Sequence, residues 1–359
     1  MGLELRDLGY TWVFAPDADT TIGPKDPTIG TRAPSDNPEY AGKAAAAATR
    51  GFLAAGIIPT PKHYPGHGSV TTDSHQELPV QEMPLNELKA TDLQPFSQVV
   101  EAGTPTVMLS HIAVQALAPD VPASLAPQVY TFLAQETGFN GVAVTDSLGM
   151  GAVTNAGGSP SVRGIQAGAD LLLMPADTRL AHAELVGAIN DGSVPRERIE
   201  EAAAKVVALQ RWQQTTMDGI PVPGQAGQLA RQGAKQLSAA AITQVSGQCE
   251  GPQVSDGIRI VGGSAADRAQ LAGAARAAGL RVGTGTTIRL VQTGSGSGDV
   301  VVALDWPTVL AGSAGSRATY ALYGQTEGAY AALVDVLTGA APAPGGMAVE
   351  VPTVRTVDC

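Results

Sequence analysis

Short apolar runs alternate with longer alanine-rich stretches from residue 1 to about residue 215. The runs are Trp12–Pro16, Ile57–His63, Thr106–His111, Gly141–Asp146 and Ala169–Met174. Glu39–Ala55, Leu85–Ala102, Ala126–Thr137 and Arg163–Ala167 lie between them, and Ala181–Asn190 and Pro195–Gln214 follow the last. Apolar runs this short suit strands buried on both faces, and the stretches between them suit helices. The alternation predicts an α/β fold around a parallel sheet. In such folds ligands bind at the C-terminal strand ends. Lys62, His63, His111 and Asp146 stand at those ends, so one active face is predicted, whether the sheet is a barrel or open.

Thr215–Gln228 is rich in Gly and Pro, and a linker is expected at 216–228. A second α/β domain, 229–359, is expected beyond it. Its strands are placed at Gly257–Val261, Thr287–Val291, Asp299–Ala303 and Thr319–Leu322, and its helices at Ala265–Ala278 and Thr326–Leu337. The glycine-rich stretches 283–287 and 294–298 lack GK[ST] and open no helix, so they are not phosphate loops. At the other end, MGLELRDLG reads as the inside of an amphipathic helix and lacks the pattern of a signal peptide.

Composition narrows the function. Hydrophobic residues make up 44% of the 359 and aromatics only 4%, so the core is aliphatic. A formal net charge of -11 repels phosphate backbones and anionic lipid surfaces, which argues against nucleic-acid partners. No apolar stretch reaches the roughly 20 residues of a membrane helix. The two cysteines, Cys249 and Cys359, sit in no CxxC or Cys/His cluster. They are read either as a disulfide tying down the C-terminus or as two unrelated thiols.

The densest polar segment is KHYPGHGSVTTDSH, residues 62–75, which holds three of the five histidines. Pro65, Gly66 and Gly68 make it a loop, and a loop so crowded after an apolar strand suits a site better than a core. His63 and His67 are spaced HxxxH, with Asp73 and His75 as further potential ligands. Pro65 and Gly66 deny that spacing its helical meaning, and no metal is expected. The second signal is GFNGVAVTDSLGM, residues 138–150, whose strand ends in Asp146. An Asp there suits a nucleophile, a base or a ligand, and equally a helix N-cap.

These segments carry a resemblance. KHYPGHGSVTTDSH resembles the KHFPGHG-x-x-x-x-DSH signature of the N-acetylglucosaminidase branch of glycoside hydrolase family 3. GFNGVAVTDSLGM is similar to that branch's nucleophile segment, WVFAPDADT to its FAP-x-x-D strand, and PTIGTRAPSDNPE to its P-x-IG-x-R loop. The four occur in family order across residues 1–215. The resemblance implies a TIM-type β/α barrel followed by a smaller α/β sandwich. ATYALYGQTEGAYAALVDVLTG, residues 318–339, is similar to a segment of the secreted actinobacterial members.

The implied activity is that of a retaining exo-β-N-acetylglucosaminidase, needing no cofactor and acting on peptidoglycan fragments or chitooligosaccharides. Asp146 would be the nucleophile and His75, oriented by Asp73, the acid/base. Lys62, His63 and Arg32 would bind the sugar, and His111 would line the pocket or serve as a structural histidine. His67 is expected to brace the loop, His182 to lie at the surface and Asp19 to act structurally. In this branch the neutral imidazole lets phosphate compete with water, so phosphorolysis is an implied side reaction. The family's acidic DxEGGxVxR-type motif is not found, and five strands are readable where a closed barrel has eight. Met1 therefore reads as an internal methionine of a longer, secreted or cell-envelope protein. The competing expectations are an inactive fragment or carbohydrate-binding remnant and, third, a β-glucosidase.

Overall fold

In the computed structural model the first unit, Met1–Gly224, carries strands β1 (Trp12–Val13), β2 (Ile58–Pro59), β3 (Val80–Gln81), β4 (Thr106–Leu109), β5 (Ala113–Val114) and β6 (Val142–Thr145). Its helices are α1 (Gly2–Asp7), α2 (Pro38–Ala54), α3 (Leu85–Ala90), α4 (Gln94–Glu101), α5 (Pro127–Thr137), α6 (Gly151–Thr154), α7 (Pro160–Ala167), α8 (Thr178–Asn190) and α9 (Arg196–Asp218). The structure describes residues 1–220, 224–249, 251–313, 315–351, 354 and 357.

The strands of the site follow one another in chain order. β1 pairs in parallel with β2, Trp12 opposite Ile58. The chain beyond β2 joins β4 through a parallel bridge between Tyr64 and Leu109. β4 pairs in parallel with β6, and Val144 bridges Leu171 in the fifth apolar run. Neighbours along this series are parallel and succeed one another along the chain, while β3 and β5 form a parallel pair apart from it. Among the described residues no ladder joins the first run to the fifth.

Side chains alternate across a strand, and both faces are covered. Val107, Leu109 and Ala143 pack with Phe96 and Val99 of α4 and Val129 and Leu133 of α5. Ile58, Val142 and Val144 instead meet Leu209 and Val206 of α9, together with Trp12 and Leu171. Each fully buried Val, Leu or Ile side chain among them contributes about 1.5–3 kcal/mol.

Helix ends follow local chemistry. Asn37 caps α2 by accepting from the amides of Glu39 and Tyr40, ahead of Pro38. Asp177 caps α8 in the same way through Arg179 and Leu180. The single helix expected at Leu85–Ala102 is two, α3 and α4, because the chain turns at Thr91–Leu93 and restarts with Pro95 in the first turn of α4. α9 runs to Asp218, past the expected end at Gln214.

The second unit, Gln225–Cys359, holds α10 (Ala226–Ala241), β7 (Thr243–Ser246), β8 (Gly257–Gly262), α11 (Ala265–Ala277), β9 (Arg281–Val282), β10 (Thr286–Val291), β11 (Val300–Ala303), β12 (Ala318–Ala321) and α12 (Glu327–Leu337). One sheet runs β7-β12-β11-β10-β8-β9, parallel except for β7. Leu271 of α11 and Tyr330 and Leu333 of α12 fill one face, and the turn around Leu310 the other. A capping box between Ser264 and Asp267 opens α11, and Tyr330 Oη donates to Asp267 at 2.7 Å. α10 and β7 fall where no element was expected. Cys249 is not a free thiol; its expected partner, Cys359, lies outside the described residues.

Candidate active site

β6 delivers Asp146 at its C-terminal end, where the Asp146 amide donates to Leu109 O and so extends the ladder with β4. Its Oδ1 accepts the Ser147 amide at 2.7 Å, and its Oδ2 lies 3.9 Å from Nε2 of His63. Burial pushes this carboxyl up, but His63, His111, the Ser147 amide and Lys62 together outweigh it and hold it below the ordinary carboxylate range. Asp146 is therefore an ionised carboxylate at neutral pH, aimed from a strand end.

His63 connects two strand ends. Its Nδ1 donates to Asp19 Oδ2 at 2.8 Å and lies 3.7 Å from Asp17 Oδ1. Burial lowers its pKa, yet Asp19, Asp146 and Asp17 around it raise it on balance. Asp19 is fully buried and also accepts the amides of His63 and His67, the latter at 2.7 Å. Burial acts against its charge, and the two histidines together keep it ionised. Asp19 thus fastens the start of the 62–75 loop to the end of the first strand run.

Lys62 is half-buried beside this group, and its charge helps hold Asp146 and Asp17 ionised. Burial is the larger influence on Asp17 and leaves its pKa raised. Arg32, on the turn Gly30–Arg32, reaches Asp17 at 3.5 Å and donates to Thr28 O at 3.0 Å. His111 is buried, with Nε2 donating to the Ser147 carbonyl at 2.9 Å and Nδ1 paired with Ser124 Oγ at 2.7 Å. A carbonyl only accepts, so Nε2 carries the proton and Nδ1 accepts. Burial, the largest influence, lowers its pKa. His111 is thereby hydrogen-bonded to the turn after Asp146. His182 lies on α8, away from these contacts.

Asp73 and His75 form the expected pair. Asp73 Oδ1 accepts both the His75 amide, at 2.9 Å, and His75 Nδ1, at 2.7 Å. With Nδ1 bound to the carboxylate, Nε2 is the free edge, and the side chain is 64% exposed. Some burial raises the Asp73 pKa, but its hydrogen bonds with His75 more than offset that and lower it. Behind the pair, His67 Nε2 contacts Ser74 Oγ at 2.8 Å. In front, the amides of Gly151 and Ala152 donate to the carbonyls of His75 and Ser74, at 3.1 and 3.2 Å. The loop bearing His75 is thereby docked on the segment that follows Asp146.

Two carboxylates of this network, Asp17 and Asp92, went unused in the sequence reading, and Asp19 was expected only to act structurally. Asp17 obeys the same strand-end rule that singled out Asp146, and that rule applied evenly would have found it. Asp92 had no signal, because it sat inside an expected helix. It turns inward and is buried, accepting from Thr20 Oγ1, Ser69 Oγ and Gln81 Nε2. Burial outweighs those donors and pushes its carboxyl up to about 6.

Among the described residues, Asp17, Asp19 and His63 bring ligand atoms within 4.8 Å of one another. This differs from the HxxxH set weighed from sequence. Both oxygens of Asp19 already accept protein donors, and Nδ1 of His63 is one of those donors, so the trio is bound into an internal ion pair.

Residues 1–209 match the model of the family described as "Glycosyl hydrolase family 3 N terminal domain". The chain is 38% identical over 189 residues to a beta-hexosaminidase of Stenotrophomonas maltophilia, covering 52% of this chain and 54% of that protein. It is 31% identical over 233 residues to beta-hexosaminidase A of Pseudoalteromonas piscicida, covering 58% and 39%. The chain thus spans about half the length of the curated relatives it matches, or less. Its fold superposes on a glycoside hydrolase family 3 beta-N-acetylglucosaminidase from Paenibacillus with a TM-score of 0.81 at 25% identity, covering 99% of this chain and 79% of that one.

Proposed function

The chain belongs to glycosyl hydrolase family 3, and from that premise we propose that it is a retaining exo-β-N-acetylglucosaminidase. Its substrates are terminal β-GlcNAc residues of peptidoglycan fragments or chitooligosaccharides. Residues 1–215 are the catalytic domain, part of a TIM-type barrel, and 229–359 a smaller α/β domain. Secretion or a place in the cell envelope belongs to the same reading.

One observation carries the proposal: the Asp73–His75 pair, with Nε2 free, is docked on the residues that follow an ionised Asp146. Asp146 attacks the anomeric carbon and forms a glycosyl–enzyme ester, while His75 gives a proton to the leaving oxygen. His75 then takes a proton from water, which attacks the ester and releases the sugar with its configuration retained. Asp73 holds Nδ1–H, so Nε2 is the nitrogen that exchanges protons. Lys62, His63 through Nε2 and Arg32 bind sugar hydroxyls, and His111 stiffens the turn beneath Asp146.

The test compares p-nitrophenyl β-GlcNAc with p-nitrophenyl β-glucoside, with the anomer released followed by proton NMR. GlcNAc release with β-GlcNAc as first product, abolished in Asp146→Ala, supports the proposal. Preference for the glucoside overturns the specificity, and α-GlcNAc as first product overturns the retaining mechanism. Soluble, folded protein that turns over neither substrate overturns the activity.

A further inference from the structure

The loop that carries Asp73 and His75 is held in two different ways. Its start is fastened by side chains: Asp19 takes the amides of His63 and His67, and Asp92 takes the Ser69 hydroxyl. Its tip is docked through backbone, by the Gly151 and Ala152 amides, and braced from within the loop by His67 Nε2 on Ser74 Oγ. Gly151 opens α6, and the turn between it and Asp146 is closed by the Met150 amide donating to Ser147 O at 3.1 Å. The same Ser147 carbonyl takes the proton of His111 Nε2. A short, braced path therefore leads from Asp146 to the surface on which the His75 segment sits.

That surface tolerates no side chain. A Cβ on Gly151 would overlap Gln76 O and lie 2.8 Å from Gln76 C and 2.9 Å from His75 O. All three are backbone atoms, so no rotamer change relieves the overlap. Gly151 is not among the residues with positive φ, and the first position of a helix accepts any L-residue. Glycine is required here by the close approach of the loop, not by the conformation of α6.

We propose that Gly151 is a positioning residue for the acid/base, its bare α-carbon being the seat that sets His75 against Asp146. This rests on His75 being the acid/base, and it adds a residue from outside the loop. A methyl group at 151 lifts the loop tip on the order of 1 Å, while Asp146 keeps its contacts with Ser147 and His63. A displacement of that size costs about 100-fold when it misplaces a reacting group. The defect must therefore follow the need for a proton and not the need for a nucleophile.

The experiment measures kcat/KM of wild type, Gly151→Ala, Gly149→Ala and His75→Ala on two substrates. Phenyl β-GlcNAc has a leaving group that departs only when protonated, and 2,4-dinitrophenyl β-GlcNAc has one that departs without help. Gly151→Ala is expected to lose about 100-fold on the phenyl substrate and less than about 3-fold on the dinitrophenyl one. Its kcat on the dinitrophenyl substrate should fall, because hydrolysis of the ester needs the base, and added azide, which attacks the ester without a base, should restore that kcat. Gly149→Ala, whose Cβ meets its nearest neighbour, Met174 O, at 3.5 Å, should match wild type on both. Ala152→Pro removes the second amide at a position where a first helical turn accepts proline, as at Pro95 of α4. It should repeat the leaving-group pattern, and it carries the test should Gly151→Ala not fold.

Equal losses on both substrates, or none on either, overturn the seat. If His75→Ala itself shows no leaving-group dependence, the acid/base reading fails instead. If His75→Ala shows it and Gly151→Ala does not, the seat alone fails.

Discussion

At the scale of single residues, His63 and Asp19 hold most of the site's electrostatics. His63 is among the groups that keep Asp146 ionised against its own burial. His63→Gln removes that charge, so the Asp146 pKa rises and the acid limb of the kcat/KM profile moves to higher pH. Activity at neutral pH should fall about tenfold, through the loss of the sugar contact proposed for His63. A pH profile on p-nitrophenyl β-GlcNAc checks both, and an unmoved acid limb refutes the charge argument.

The Asp19–His63 pair also makes stability depend on pH. His63 has a raised pKa, so its contribution is full below the ordinary histidine value and is lost as pH rises through the folded value. Asp19 has a lowered pKa, so its contribution is present above the ordinary carboxylate value and lost as pH falls through the folded one. Stability from the pair therefore peaks in mildly acidic solution. Asp19→Asn takes its nearest carboxylate from the buried His63, with Asp17 and Asp146 still at 3.7 and 3.9 Å, and should cost about 3 kcal/mol, the low end for a broken buried pair, in urea melts near pH 6. The variant should also lose the decline in stability above the histidine range; an unchanged slope counts against the pair.

At the scale of elements, α9 is secured to the strands by one buried carboxylate. Asp170 accepts Arg198 Nη2 at 2.6 Å, Lys205 Nζ at 3.2 Å and the Ala143 amide at 3.1 Å. Arg198 and Lys205 keep 17% and 34% of their side chains exposed, so water partly replaces a lost partner. Asp170→Ala should cost about 2–3 kcal/mol, less than a fully buried pair, and lower the Tm with no change in KM. The aliphatic contacts of Leu209 and Val206 remain, so α9 should stay helical by circular dichroism. A fall in KM-linked binding instead would mean that the strand ends had moved.

At the scale of the whole molecule, a net charge of -11 predicts no retention on heparin and no binding to anionic vesicles at physiological salt. Co-sedimentation checks the second, and binding that weakens with added salt would contradict the charge argument. The strand–helix alternation was legible because buried parallel strands need short apolar runs and their covering helices need long ones. Asp146, Lys62 and His63 were legible because they close such runs. The pair β3–β5 and the edge strand β7 were not, since Val80–Gln81 and Thr243–Ser246 carry polar residues and no unbroken apolar run. The split of Leu85–Ala102 was missed because Asp92 reads as a solvated helix residue until its three buried donors are seen.

Taken alone, the order of residues determined which groups can do chemistry, because strand ends and glycine-rich loops are local features. It also determined the Asp73–His75 pair, two residues apart, since a carboxylate readily accepts the amide and ring of the second residue on. Tertiary structure decided the rest. Charge states depend on distances between segments far apart in the chain, as Asp19 is from His63. The place of His75 depends on a backbone approach to Gly151 that nothing near either residue encodes.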